Sequence, residues 1–194
     1  MTKKLATLRG RAAEIMTIFS QKTPHPKCEL EYQTPFQLLV AVVLSAQTTD
    51  KSVNKCTRKL FQVVTTPSEL YALSPQGLLP YIASLGLAPT KAKNLIKLSH
   101  MLEKYHGGQV PKTYDHLIEL PGVGRKTAHV VLAELFRQPV LAVDTHVFRV
   151  GKRLGFHLED NVIRAEKKLM TIIDKKYLPE AHHWLILHGR YVCK

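Results

Sequence analysis

Apolar residues recur at helical spacing along nearly the whole chain. Leu8, Ala12, Ile15, Met16 and Phe19 form a first stripe, three to four positions apart as one helix face requires. Thr23-Pro24-His25-Pro26 breaks it and leads to a linker carrying Cys28. Thr34 is then the expected cap of a helix with Pro35 at its first position. The interior of that helix, Phe36 to Leu44, is apolar nearly all round, the pattern of a helix buried in the middle of a bundle. Ser45 to Thr49 is a polar break, and Asp50 is the expected cap of the next helix, whose inward face is Val53, Cys56, Leu60, Phe61 and Val64. Cys56 on that face reads as a core residue and not as a ligand. Thr66-Pro67 and Ser74-Pro75 repeat the cap-then-proline start for two short helices. Leu85-Gly86-Leu87-Ala88-Pro89 is a turn, Thr90 is the expected cap of a helix through Tyr105, and Gly107-Gly108 ends it.

The next stretch is the most informative. Thr113 to Glu119 reads as a short helix, with Thr113 as cap and Asp115 in the first turn, where a negative charge suits the helix dipole. Pro121 stops it. Gly122 and Gly124 give a turn able to take positive φ and to approach another molecule closely. Ala128, Val131, Leu132, Leu135 and Phe136 then mark a second helix. Its first N–H groups and positive dipole end suit an anion. An ordinary helix–turn–helix connection with a glycine C-cap fits the same local pattern. Beyond it, Gln138-Pro139 breaks the helix, Val140 to Val143 is extended, and Asp144 opens a helix with Val147, Val150 and Leu154 inward and Gly155 at its close. Val162 to Ile173 and Glu180 to Val192 are the last two helices. No strand alternation, repeat or low-complexity segment interrupts this pattern, so the expected fold class is all-α with short connections.

Charge adds a partner to the fold. The formal net charge is +13 over 194 residues, which favours polyanions and leaves DNA, RNA and an anionic membrane surface all open. The basic residues are dispersed and not gathered on one amphipathic face, which disfavours the membrane. No apolar run is long enough to span a bilayer. Met1-Thr2-Lys3-Lys4 leads into an amphipathic helix, unlike a signal peptide. Cys28, Cys56 and Cys193 are few, odd in number and far apart, as expected of a reducing compartment. The expected location is the cytoplasm, in association with the nucleoid.

Leu120-Pro121-Gly122-Val123-Gly124-Arg125-Lys126-Thr127-Ala128, with Val143-Asp144-Thr145-His146-Val147 further on, resembles the helix-hairpin-helix, Gly/Pro-rich loop and aspartate signature of the endonuclease III family of DNA glycosylases. The resemblance runs from about Leu5 to Cys193. It includes Leu44-Ser45-Ala46-Gln47-Thr48-Thr49-Asp50 and His183-Trp184-Leu185-Ile186-Leu187-His188-Gly189-Arg190. It implies two lobes with a DNA-binding cleft between them. One is a helical barrel over 28–138 with the hairpin; the other combines 1–27 with 139–194. It further implies base-excision repair by a bifunctional N-glycosylase and AP lyase that releases oxidised pyrimidines, acting as a monomer on double-stranded DNA with a damaged base or abasic site.

The resemblance makes Lys126 the nucleophile and Asp144 the second catalytic residue. On chemical grounds a lysine at a helix N-terminus, beside Arg125 and partly desolvated, holds a neutral amine at less cost. Such an amine can attack C1′ of a sugar and form a Schiff base. A surface lysine contacting phosphate is the plainer alternative. Asp144 reads as an N-cap, and the same carboxylate can stabilise positive charge on the sugar as the base departs. Gln47 and Leu87 match the family positions that enter the duplex when a base is extruded; a loop amide and a core leucine are the plainer readings. Gly122, Val123, Gly124, Arg125 and Thr127 are the expected DNA-binding hairpin residues, and His146 lies on the same helix start as Asp144.

The chain departs from the family at its end. Members commonly close with C-x6-C-x2-C-x5-C holding a [4Fe–4S] cluster. Here Cys193 matches the first ligand, and Cys28 and Cys56 match none. A cubane cluster takes four cysteine ligands, so this chain as given is expected not to form one, whether by truncation or by loss of the cluster. The chemistry itself requires no cofactor. Two rival readings stand beside this one: a non-catalytic or truncation-impaired helix-hairpin-helix DNA binder, and an adenine-type mismatch glycosylase. The latter generally lacks a lysine at the position of Lys126.

Overall fold

The computed structural model describes residues 3–194, without the side chains of residues 3 and 4; the leading Met1-Thr2 lies outside the described residues. Eleven α-helices follow one another, with no strand among the described residues. They are α1 (Lys3–Lys22), α2 (Pro35–Leu44), α3 (Asp50–Leu60), α4 (Pro67–Ala72), α5 (Ser74–Ile82), α6 (Ala88–His106), α7 (Tyr114–Ile118), α8 (Arg125–Phe136), α9 (Thr145–Arg153), α10 (Val162–Ile172) and α11 (Leu178–Tyr191). The fold class is all-α. The chain divides into two compact units, Glu29–Val131 and Met1–Cys28 with Leu132–Lys194.

The Glu29–Val131 unit is wrapped around α2. Thr34 caps that helix by accepting from the Gln37 N–H at 3.2 Å, Pro35 follows, and every residue from Phe36 to Leu44 is buried. Val53, Cys56, Leu60 and Val64 of the next segment are buried as well, while Phe61 is only partly covered. Cys56 is 4% exposed, with Sγ 3.2 Å from Ser84 Oγ, so it is a core residue. From α6, Ala92, Leu95, Leu98 and Leu102 are fully buried. Gly107 and Gly108 close α6 at φ +57 and +73, with the Gly108 N–H donating back to Leu102 O at 3.0 Å.

The other unit has its own core. Ala12 and Met16 of α1 meet Val147 and Val150 of α9, Phe156, Leu169 of α10, and Leu178, Ala181, Trp184 and Leu185 of α11. Trp184 holds α1 to α11 in two ways. Its ring stacks on Phe19 with centroids 6.3 Å apart, and its Nε1–H donates to Thr23 O at 2.8 Å.

Helix starts differ from expectation at several places, among them α11, which begins at Leu178 and not at Glu180. Thr49, and not Asp50, caps α3: its backbone is extended and its Oγ1 accepts from the Ser52 N–H at 3.3 Å, which puts Asp50 inside the first turn. Helix α5 begins directly after Leu73, the residue that ends α4. With no connecting loop, Ser74 takes a left-handed φ of +59; its Oγ accepts from the Gly77 N–H at 3.5 Å and donates to Gln76 Oε1 at 3.4 Å. Helix α6 starts at Ala88, so Thr90 lies within its first turn and the cap position falls to Leu87. Thr113 precedes α7 in extended geometry but makes no side-chain cap bond.

At α4 the expected start is complete. Thr66 Oγ1 accepts from the Glu69 N–H at 3.3 Å, and Glu69 Oε2 accepts from the Thr65 and Thr66 N–H groups at 2.6 and 2.9 Å. These bonds, that from the Thr65 N–H foremost, lower the Glu69 carboxyl from its ordinary 4.5 to about 2. A depressed folded-state pKa contributes stability above the unfolded value and loses it as the folded group protonates. Glu69→Gln therefore has a lower Tm than the parent at pH 7, and the gap narrows as pH falls from 4.5 towards about 2, as thermal melts across that range will read.

Candidate nucleic-acid interface and catalytic residues

Between α7 and α8 the chain makes a tight hairpin. The Val123 N–H donates to Leu120 O at 3.0 Å, and the Ala128 N–H donates to Gly124 O at 2.9 Å, which sets the first turn of α8 directly after Gly124. The leading N–H groups of a helix have no acceptor within it, so those of α8 are presented at the hairpin. The two glycines have different reasons to be there. Gly122 has φ +84, and a Cβ on it would lie 3.2 Å from both Asn94 Cβ and Val43 Cγ1. Gly124 has no left-handed φ, contrary to expectation, and a Cβ there would meet nothing within 4 Å. The first glycine is demanded by the fold; the second leaves the hairpin face bare.

Val123 is buried, fixing the turn to the core, while Arg125 and Lys126 are exposed and Thr127 is half-buried. Arg125 lies over the Tyr114 ring, 5.7 Å from its centroid. The exposure of Lys126 corrects one expectation. Ala128 takes the inward register of α8, so Lys126 points outward, and the protein alone does not supply the desolvation anticipated at its amine.

Gln47 and Leu87 stand on two connections of the same unit. Both are exposed, Leu87 by 60%, and both are non-glycine residues in the left-handed region, at φ +55 and +61. Such conformations cost about 1–3 kcal/mol each and gather at functional sites. An exposed leucine on a strained turn does not fit a core role. The two connections are tied by a residue that pattern reading passed over. Lys91, on α6, is 6% exposed, and its Nζ donates to Leu44 O at the end of α2 and to Thr48 Oγ1, each at 2.9 Å. Burial lowers its pKa. A signal was present: Lys91 falls three residues after Ala88 and four before Leu95, in register with the apolar stripe of α6.

The other unit carries Asp144, His146 and Cys193. Asp144 caps α9, with Oδ1 accepting from the Val147 N–H at 2.8 Å, and is half-buried. His146 Nδ1 lies 3.3 Å from Arg149 Nη2, which also donates to Gly189 O at 2.9 Å. Cys193 Sγ accepts from Arg153 Nη1 at 3.2 Å, and that bond is the main cause of its lowered pKa. The chain holds three cysteines, Cys56 is committed to a core, and no group of three or more His, Cys, Asp or Glu among the described residues is placed to hold a metal ion. The residues present do not fit a four-thiolate cluster.

An all-helical chain with this hairpin and a capped aspartate defines a class. Residues 40–175 match the model of the HhH-GPD superfamily base excision DNA repair proteins. Endonuclease III of Rickettsia prowazekii (strain Madrid E) is 52% identical over 181 residues, 93% of this chain and 85% of that protein. Endonuclease III of Escherichia coli (strain K12) is 47% identical over 185 residues, 95% of this chain and 88% of that protein. A solved structure of a trapped endonuclease III–DNA covalent intermediate superposes with a TM-score of 0.89 at 46% identity, covering 96% of this chain and 88% of that one. The chain belongs to the endonuclease III family of this superfamily.

The division of labour between the glycines gives a test. Gly122→Ala loses about 2 kcal/mol of stability, from left-handed strain together with the close Asn94 and Val43 contacts. Gly124→Ala meets no clash and loses less, about 1 kcal/mol from the poorer N-cap, yet weakens duplex binding by covering the bare face. Chemical denaturation and a duplex titration measure the two effects separately.

Proposed function

We propose that this chain, a DNA glycosylase and AP lyase of base-excision repair, releases oxidised pyrimidines from double-stranded DNA and then cuts the strand by β-elimination through a Schiff base on Lys126. The observation that carries the reading is the setting of Lys126: outward in the first turn of α8, two residues after the bare Gly124, in a chain 52% identical to an endonuclease III. The match to an endonuclease III–DNA complex caught as a covalent intermediate supports DNA as partner. So does the net charge of +13.

The chemistry proceeds in balanced steps. Backbone phosphates lie against the N–H groups at the start of α8, where Gly122, Val123, Gly124, Arg125 and Thr127 present the hairpin. Gln47 and Leu87 enter the stack as the damaged base leaves it. Closure on DNA removes water from Lys126 and favours its neutral amine. The amine attacks C1′, the glycosidic C–N bond breaks, and the base departs with the bond pair and takes up a proton. Asp144 stabilises the positive charge that develops on the sugar. The C1′–O4′ bond then opens, O4′ keeps the bond pair and takes up a proton to become a hydroxyl, and an iminium is left between Lys126 and C1′. With that electron sink in place a 2′ proton is removed, the C3′–O bond breaks, and the 3′ phosphate leaves. Water hydrolyses the iminium and restores the amine. His146, on the helix that Asp144 caps, lines the nucleotide side of this unit. The protein works as a monomer in the cytoplasm, on nucleoid DNA.

Lys126→Gln keeps duplex binding and loses borohydride trapping on abasic DNA, because an amide forms no iminium. Full trapping by the variant refutes the assignment, and binding without trapping by the parent chain leaves a non-catalytic binder. For Asp144→Asn the cap survives, since asparagine caps as well as aspartate, and Tm stays near that of the parent. Base release in single turnover nevertheless falls by orders of magnitude. Unchanged turnover rejects the role.

A further inference from the structure

The buried lysine of α6 has no part in the chemistry above, yet its bonds end on the two connections that carry the strained, exposed side chains. Its Nζ donates to Leu44 O and to Thr48 Oγ1, at 2.9 Å each, so it grips the segment around Gln47 on both sides. Thr48 Oγ1 in turn donates a hydrogen bond to Ala46 O at 3.3 Å, and the Thr48 N–H closes on Ser45 O at 3.0 Å. The Lys91 backbone N–H donates to Leu87 O at 2.9 Å, the first helical bond after the left-handed turn. One residue thus fixes the exit of α2 and the entry of α6 together. Leu44 O belongs to the negative end of α2, where a cation is favoured. Burying an ammonium is nevertheless expensive, and an apolar side chain of the same length fills such a site at lower cost. The bonds that the cation makes are the feature such a replacement lacks.

We infer that Lys91 is a positioning residue for base extrusion: its ammonium holds the Gln47 and Leu87 turns in register, so that both enter the duplex from one pre-set geometry. The inference rests on the reading of Gln47 and Leu87 as the duplex-opening residues. A positional loss of about an ångström at such a site costs about 10²-fold in rate. That loss is confined to substrates whose nucleotide must first leave a stack. An abasic site in single-stranded DNA needs no extrusion, and the Lys126 chemistry there is indifferent to Lys91.

The test compares Lys91→Met, Lys91→Arg and Thr48→Val with the parent on two substrates. One is a duplex carrying a single thymine glycol, read in single turnover; the other is a single-stranded abasic oligonucleotide, whose borohydride trapping also counts the folded, competent enzyme. Lys91→Met is expected to lose about 10²-fold on the duplex per competent molecule and to keep the parent rate on the single strand. Thr48→Val, which removes one acceptor and preserves the buried charge, shifts in the same direction by less. Lys91→Arg recovers most of the loss. Equal losses on both substrates, or a duplex rate for Lys91→Met that matches the parent per competent molecule, overturn the inference and leave Lys91 a structural cation. Inactivity of the parent chain on both substrates overturns the functional reading, and this inference with it.

Discussion

Burying α2 on every side obliges the protein to satisfy the carbonyl groups at that helix's C-terminal end without relying on bulk water. A helix with one wet face leaves its last carbonyls to solvent. Here Phe36 to Leu44 are all buried, and the Leu44 carbonyl receives a lysine ammonium from α6. That bond fixes where the chain turns out of the core. The residues after Leu44 must then reverse direction within a few positions, and Gln47 takes a left-handed conformation to do so. At the start of α6 the same requirement for an abrupt entry puts Leu87 into the left-handed region, with its side chain outside. Strain and exposure thus coincide at the two turns that Lys91 adjoins, those of Gln47 and Leu87.

The hairpin solves a separate problem, which is to keep main chain exposed while staying anchored. Val123 is buried and Gly122 is packed against Asn94 and Val43, so the turn cannot drift. Gly124 has only open space beside it, and α8 begins there with its dipole facing the same way. The anchoring half and the presenting half lie two residues apart. Arg125 is steadied over the Tyr114 ring, and Lys126 is exposed.

In the unit that contains Asp144, the proposed electrostatic role of the carboxylate is compatible with its capping of α9. The Val147 N–H fixes the side chain and leaves acceptor capacity on the carboxylate. The C-terminal residues are drawn in by guanidinium groups: Arg149 reaches Gly189 O and Cys193 O, and Arg153 reaches Cys193 Sγ and Lys194 O. Cys193 is an acceptor in this network through both its Sγ and its carbonyl.

Periodicity alone specified the all-α class, the dry helix from Phe36 to Leu44, the glycine stop at Gly107-Gly108 and the cap at Asp144, because each depends on residues within a turn or two of one another. Linear pattern marked the hairpin glycines as a turn open to an anion, while Lys126 was singled out by the family resemblance and not by pattern. Caps at Thr49 in place of Asp50, and the α6 start at Ala88, escaped it, since choosing between adjacent polar residues is settled by the packing that sets each helix's entry. The role of Lys91 escaped for a deeper reason. Its partners lie 43 and 47 residues away, and a lysine is ordinarily a surface residue until an enclosed carbonyl and hydroxyl are brought to its ammonium. What tertiary structure decided was which charge could be buried and which side chains had to accept left-handed strain, because both depend on the closure of distant segments around one helix that water does not reach.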